Sequence, residues 1–151
     1  MDSEYLQGNL EGNDIRVGSY VVLDNGPYKV LSVTHAKPGK HGHAKTILKA
    51  ENLFNSKKKE DIVQSGNTLP EPIVVKEEYD VIDLTREGDL DVFNPKTNLS
   101  TLLNIEDEET KEGLTKLMMA NRGNNKTVTL TVLKSMGKIK IVNYGISKKD
   151  N

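Results

Sequence analysis

Apolar and polar positions alternate along most of this chain, in short runs closed by glycine, proline and asparagine. Ile15 to Asp24 (I-R-V-G-S-Y-V-V-L-D) is rich in β-branched residues and ends at Asn25-Gly26-Pro27. Asn-Gly is a strong turn signal, and proline cannot sit inside a strand ladder. Tyr28 to Thr34 reads as the next strand and Lys45 to Phe54 as another. A shorter one follows at Glu60 to Gln64, after a turn at Asn55 to Lys58. Short strands with turn signals at this spacing predict a small barrel. Met1 to Asn13 is polar, contains Gly8 and Gly12, and reads as a flexible tail. Ser65 to Pro72 (S-G-N-T-L-P-E-P) carries two prolines and a glycine and reads as a short, stiff boundary between two units.

The second half begins with strand-like alternation at Tyr79 to Leu84, Leu90 to Phe93 and Asn98 to Ile105, with turns at Arg86 to Asp89 and Asn94-Pro95. The period then changes. Asp107 to Asn121 opens with acids, which suit a helix N-terminus, and carries Leu114, Leu117 and Met118 on one face, with Gly123 as a stop. Beyond it, Val128, Leu130 and Val132 alternate with threonines, and Ile139 and Ile141 with lysines, as in half-buried antiparallel strands. Three strands, a helix and two strands is the order of the five-stranded oligonucleotide-binding (OB-fold) barrel. The first half is too short for that and matches an SH3-like barrel. The expectation is an all-β chain with one short helix: a tail at 1–13, an SH3-like barrel at 14–72, an OB-fold domain at 73–147, and a short tail at 148–151.

Composition changes this picture little, but charge layout changes it considerably. A 151-residue chain fits one ordinary domain or two small ones, its 35% hydrophobic content suits lean cores, and the absence of cysteine excludes disulfides and thiolate zinc sites. The acidic N-terminus has no apolar segment of the signal-peptide kind, and no run is long enough to span a bilayer, so the expected setting is cytoplasmic. The net charge of −1 conceals blocks: Tyr28 to Lys59 holds eight lysines and one acid, while Glu60 to Leu114 holds fifteen acids and four bases. That layout suggests a basic face presented to a polyanion, although scattered surface lysines would give the same count.

Chemistry concentrates in Ala36 to Lys45 (A-K-P-G-K-H-G-H-A-K), between two β-branched runs. As a phosphate loop it fails: Thr34 stands where the first glycine belongs, and His41 stands where a hydroxyl would hold magnesium. His35, His41 and His43 are all of the chain's histidines, and with no cysteine or acid between His35 and Lys45 they fall short of a zinc ligand set. Lys40, at an exposed tip among other lysines, has no pocket that would make it a nucleophile, and no Ser-His-Asp arrangement is readable. The reading is therefore non-enzymatic. Lys37, Lys40, Lys45, Lys49, Lys57, Lys58 and Lys59 could neutralise phosphates. With no tryptophan, five tyrosines and two phenylalanines, stacking platforms are scarce, which favours contacts to the backbone and shape of a folded RNA.

The run G-K-H-G-H-A-K at Gly39 to Lys45 resembles the modification loop of translation factor 5A, the eukaryotic and archaeal relative of bacterial elongation factor P. The similarity extends to Asp14 to Val33, to Lys58-Lys59-Glu60-Asp61-Ile62 and to Thr131 to Met136, and it weakens between Asp83 and Asn125. It implies the same pair of barrels. It also implies that Lys40 is converted to hypusine by deoxyhypusine synthase, which adds an aminobutyl group from spermidine, and by deoxyhypusine hydroxylase. No other cofactor is implied. The implied partners are the ribosome, its rRNA and peptidyl-tRNA. The modified Lys40 would promote peptide bond formation on stalling sequences such as proline runs, and would assist termination. Lys37, Gly39, His41, Gly42, His43 and Lys45 would contact the modifying enzymes or the RNA. Pro38 stands where the family usually has threonine or serine. The rival reading is an RNA-binding two-barrel protein that uses the loop as an unmodified basic finger. A bacterial-type factor P would need a third domain, for which the length leaves no room.

Overall fold

A computed structural model describes residues 3–37 and 44–148. Its contacts divide the chain into two compact units: Met1–Val74 with Ser135–Lys138, and Val75–Lys134 with Ile139–Asn151.

The first unit has six strands: β1 (Leu6–Glu11), β2 (Tyr20–Leu23), β3 (Gly26–Ala36), β4 (Lys45–Asn52), β5 (Lys58–Gln64) and β6 (Thr68–Pro72). One antiparallel sheet runs β2-β3-β4-β5, and a two-stranded sheet pairs β1 with β6. Along β4 the alternation is strict: Thr46, Leu48 and Ala50 are buried, and Lys45, Ile47 and Lys49 are exposed. The inward positions join Ile15, Val21, Leu23, Tyr28, Val30 and Val63 in one core, with Leu10 and Leu69 packed on its margin. This is the SH3-like barrel expected from the sequence. The β2–β3 turn falls one residue earlier than the Asn-Gly signal indicates. Asp24 and Asn25 both have positive φ (48° and 60°), as a primed hairpin turn requires, and Gly26 opens β3.

Two boundaries differ from the sequence reading. The segment read as a tail at 1–13 contains β1, and the segment read as a linker contains β6. The two pair with each other through Asn9–Pro70 and Leu10–Leu69. Only Leu6 and Leu10 are apolar in β1, and Gly8 stands between them with φ of 149° beside a register shift, so no alternation shows. Prolines are tolerated in β6 because a two-stranded ribbon consists of edge strands. The turn Ser135–Lys138 also groups with the first unit: the Ser135 hydroxyl donates to the Ile73 carbonyl at 2.9 Å.

The second unit contains β7 (Val74–Leu84), β8 (Asp89–Asn94), β9 (Leu99–Asn104), α1 (Glu108–Ala120), β10 (Lys126–Ser135) and β11 (Lys138–Lys148), in sheet order β11-β10-β7-β8-β9. The helix lies between the third and fourth strands of this sheet, the OB-fold arrangement. Asp107 caps it, accepting from the Thr110 amide at 3.2 Å and from the Thr110 hydroxyl, and the hydroxyl bond holds the Asp107 carboxyl below its ordinary pKa. Leu114 is fully buried under the sheet, with Leu117 and Met118 beside it, as their spacing predicts. Among the described residues no helix is long and apolar enough to cross a membrane.

Candidate functional site

The longest strands of the first unit's larger sheet carry the loop. β3 and β4 pair from Tyr28–Asn52 to Ala36–Lys45, so residues 37–44 close on a paired base. Pro38, Gly39, Lys40, His41, Gly42 and His43 lie outside the described residues. The flanking lysines lie within them, and both Lys37 and Lys45 are exposed. On the far side, the Ser65 amide donates to the Ala44 carbonyl at 2.8 Å, which ties the loop's C-terminal end to the turn after β5.

One irregularity decides which side chains face which way. A bulge at Leu31 separates the pairs Val30–Ala50 and Ser32–Lys49. Before it, Tyr28 and Val30 point into the core. After it, Val33 and His35 share the strand face of their partners Leu48 and Thr46; Val33 is half-buried there, whereas His35 is exposed. Thr46 is 2% exposed, and its hydroxyl lies 3.1 Å from His35 Nδ1. Sequence reasoning grouped His35 with the two loop histidines. The structure instead places it on the strand, bonded across the hairpin, and the bulge that puts it there leaves no mark in the residue pattern.

The basic block is less uniform than its count suggests. Lys49 pairs with Glu60 at 3.3 Å on the outer face, with both side chains more than 60% exposed, so the pair contributes at most about 1 kcal/mol. Lys59 pairs with Asp24 at 2.5 Å, and this hydrogen bond raises the Lys59 pKa. Lys37 and Lys45 make no ion pair among the described residues. These two lysines stand at the loop end of the hairpin, with Lys40 between them in sequence. Among the described residues no group of three or more histidine, aspartate or glutamate side chains is placed to hold a metal ion.

The second unit presents the opposite charge. On β7, β8 and β9 the inward rows hold Val81–Val92 and Leu84–Leu90, and the outward rows hold Asp80–Phe93, Asp83–Asp91–Leu102 and Asp89–Asn104. Two aspartates face each other directly across the β7–β8 ladder. A sheet face of this composition repels a nucleic-acid backbone.

Comparison with known proteins gives the same assignment throughout. Residues 8–67 match the family described as translation initiation factor 5A-like, N-terminal, and the match begins inside the segment that sequence reasoning read as a tail. The chain is 35% identical over 128 residues to eukaryotic translation initiation factor 5A-2 of Arabidopsis thaliana, covering 85% of this chain and 79% of that protein. It is 33% identical to the Zea mays factor 5A, covering 87% of this chain and 80% of the relative. Among solved structures, a factor 5A family protein from Naegleria fowleri superposes with a TM-score of 0.74 at 30% identity, covering 93% of this chain and 98% of that one. A factor 5A from Methanococcus jannaschii superposes at 0.64 and 20% identity, over 92% and 96% of the two chains, which shows a shared fold.

Proposed function

The chain belongs to the translation initiation factor 5A family, and from that premise we propose that it acts on the ribosome through a hypusine formed on Lys40. It is a translation factor and not an enzyme, and the reaction it assists is the ribosome's own. The observation that carries the reading is the run Gly39 to Lys45 at the end of a β3–β4 hairpin whose base is paired and whose exposed lysines flank the position. Lysine brings a long thin stem and a cationic head. Lengthened by an aminobutyl group from spermidine, it gains reach and a second amine. Such an arm, set beside the acceptor end of peptidyl-tRNA, orients the reactants for peptide bond formation without exchanging protons itself. Stalled sequences such as proline runs, where the reactants are poorly aligned, gain most, and termination gains by the same route. Deoxyhypusine synthase and deoxyhypusine hydroxylase are the modifying partners in this reading. In the same reading Lys37, Gly39, His41, Gly42, His43 and Lys45 contact these enzymes or the RNA.

The test has two parts. The mass of the peptide spanning Ala36 to Lys45, taken from the protein's own cells, should carry an added hydroxylated aminobutyl group on Lys40. In ribosomal synthesis through a proline run, Lys40→Arg should abolish the stimulation while Lys49→Arg, on the same hairpin and in an exposed pair with Glu60, should leave it intact. Equal effects of the two substitutions, with bare Lys40 in growing cells, would favour an unmodified basic finger instead.

A further inference from the structure

We propose that His35 and Thr46 form a latch that holds the base of the loop and thereby positions Lys40 for modification. The proposal deepens the reading above and rests on it. Three observations converge on the pair. The bulge at Leu31 brings His35, itself exposed, onto the strand face of buried Thr46. Without that extra residue Thr34 and Ala36 would lie on that face instead, so the strand's irregularity brings this side chain opposite Thr46. The bond between His35 Nδ1 and the Thr46 hydroxyl spans the hairpin one pair below its last rung, Ala36–Lys45. According to the tautomer, the hydroxyl donates to a neutral Nδ1 or accepts from Nδ1–H. Finally, Thr46 is held from behind. Gly12 packs so closely that a Cβ there would lie 2.8 Å from the Thr46 hydroxyl oxygen, and Val63 is its partner on β5. The hydroxyl thus has little freedom to turn away from the histidine.

Ladder ends open more readily than ladder interiors, and a side-chain bond near the end shifts that local equilibrium. The loop's other end is tied by the Ser65–Ala44 bond, so the latch supplies the matching restraint on the side from which the chain approaches Lys40. His35 does not act on spermidine or on the reacting amine. It is a positioning residue, acting through the strand pair.

The experiment uses the full unmodified chain with deoxyhypusine synthase and spermidine, together with hydrogen exchange at the Ala36 and Lys45 amides. The variants are Thr46→Val, which keeps the shape and loses the hydroxyl, Thr46→Ser, which keeps the hydroxyl, His35→Leu, His35→Asn, and the double variant His35→Leu/Thr46→Val. Thr46→Val and His35→Leu should each raise exchange at the hairpin end and lower kcat/KM for Lys40 modification by about three- to tenfold, the range one side-chain hydrogen bond commands. The double variant should be no worse than either single one. Thr46→Ser and His35→Asn, which retain a bonding group in place, should stay near the parent. A merely structural role would instead penalise Thr46→Ser for its lost buried methyl. That order, additive losses, or unchanged exchange in Thr46→Val would overturn the latch. A parent protein left unmodified at Lys40 would overturn the reading beneath it, and the exchange data would still say whether the latch exists.

Discussion

Gly12 is where a single methyl group should do the most damage for its size. The residue is buried, and a Cβ built on it meets the Thr46 hydroxyl oxygen at 2.8 Å, Thr46 Cβ at 3.3 Å and Val63 Cγ1 at 3.5 Å. Its backbone is not in the left-handed region, so alanine would be unstrained there and would stabilise by about 0.4–1 kcal/mol through the unfolded chain alone. Against that stand two costs. Overpacking a core by one methyl group costs about 1–3 kcal/mol. Rotating Thr46 out of the way forfeits its bond to His35, worth about 0.5–1.5 kcal/mol. The balance for Gly12→Ala is a loss of about 1–3 kcal/mol. In a Thr46→Ala background the closest atom is gone and the next lies at 3.3 Å, so the same substitution should be neutral or mildly stabilising. A double-mutant cycle by urea unfolding, followed by circular dichroism, should therefore give a coupling of about 1.5–3 kcal/mol. The chain forms two compact units, so the shift is to be read on the transition that carries the first unit. Wild-type stability for Gly12→Ala, or an equal loss in both backgrounds, would refute the packing argument.

Three further expectations follow from the second unit. Asp91→Lys should stabilise by about 0.2–1 kcal/mol, because it replaces a like-charge pair with Asp83 by an opposite one, and a melting temperature that does not rise would contradict the assigned register. Asn98 sits at φ 59° in the β8–β9 turn, so Asn98→Ala should cost about 1 kcal/mol where Asn98→Gly costs little, and thermal melts separate the two. Glu77 accepts from the Tyr79 hydroxyl at 2.6 Å and pairs with Lys134 at 3.4 Å, and the tyrosine bond first, then Lys134, depress its pKa against the opposing effect of burial. A depressed carboxyl stabilises fully above its ordinary pKa of about 4.3 and loses that contribution as pH falls through the folded-state value. The stability gap between the parent and Glu77→Gln should therefore shrink between pH 5 and the depressed value, and a gap independent of pH would dismiss the network.

Where the sequence was legible, one face of a regular element carried the signal. Alternation marked β10, and the spacing of Leu114, Leu117 and Met118 marked the helix face. The loop announced itself through residue types that occur together for chemistry and not for packing. What stayed hidden was relational. β1 and β6 have too few apolar side chains to show a period, and each is a strand because the other pairs with it. His35 looked like a loop residue because nothing in a string of letters marks the bulge at Leu31. The grouping of Ser135–Lys138 with the first unit likewise depends on a contact to Ile73, distant in sequence.

The bulge also sets a rule for how this strand can change length. Side chains alternate with a period of two, so one residue added or removed between Leu31 and Ala36 would exchange the inner and outer rows of every rung up to the loop. Half-buried Val33 would go to solvent, His35 would leave the face it shares with Thr46, and Thr34 and Ala36 would take their places. Two residues added together would preserve the rows and only lengthen the arm. Single-residue insertions and deletions should be absent from functional variants of this segment, while even-numbered ones survive. The strand thus counts residues in pairs, and the reach of the hairpin can be altered only in steps of one full pleat.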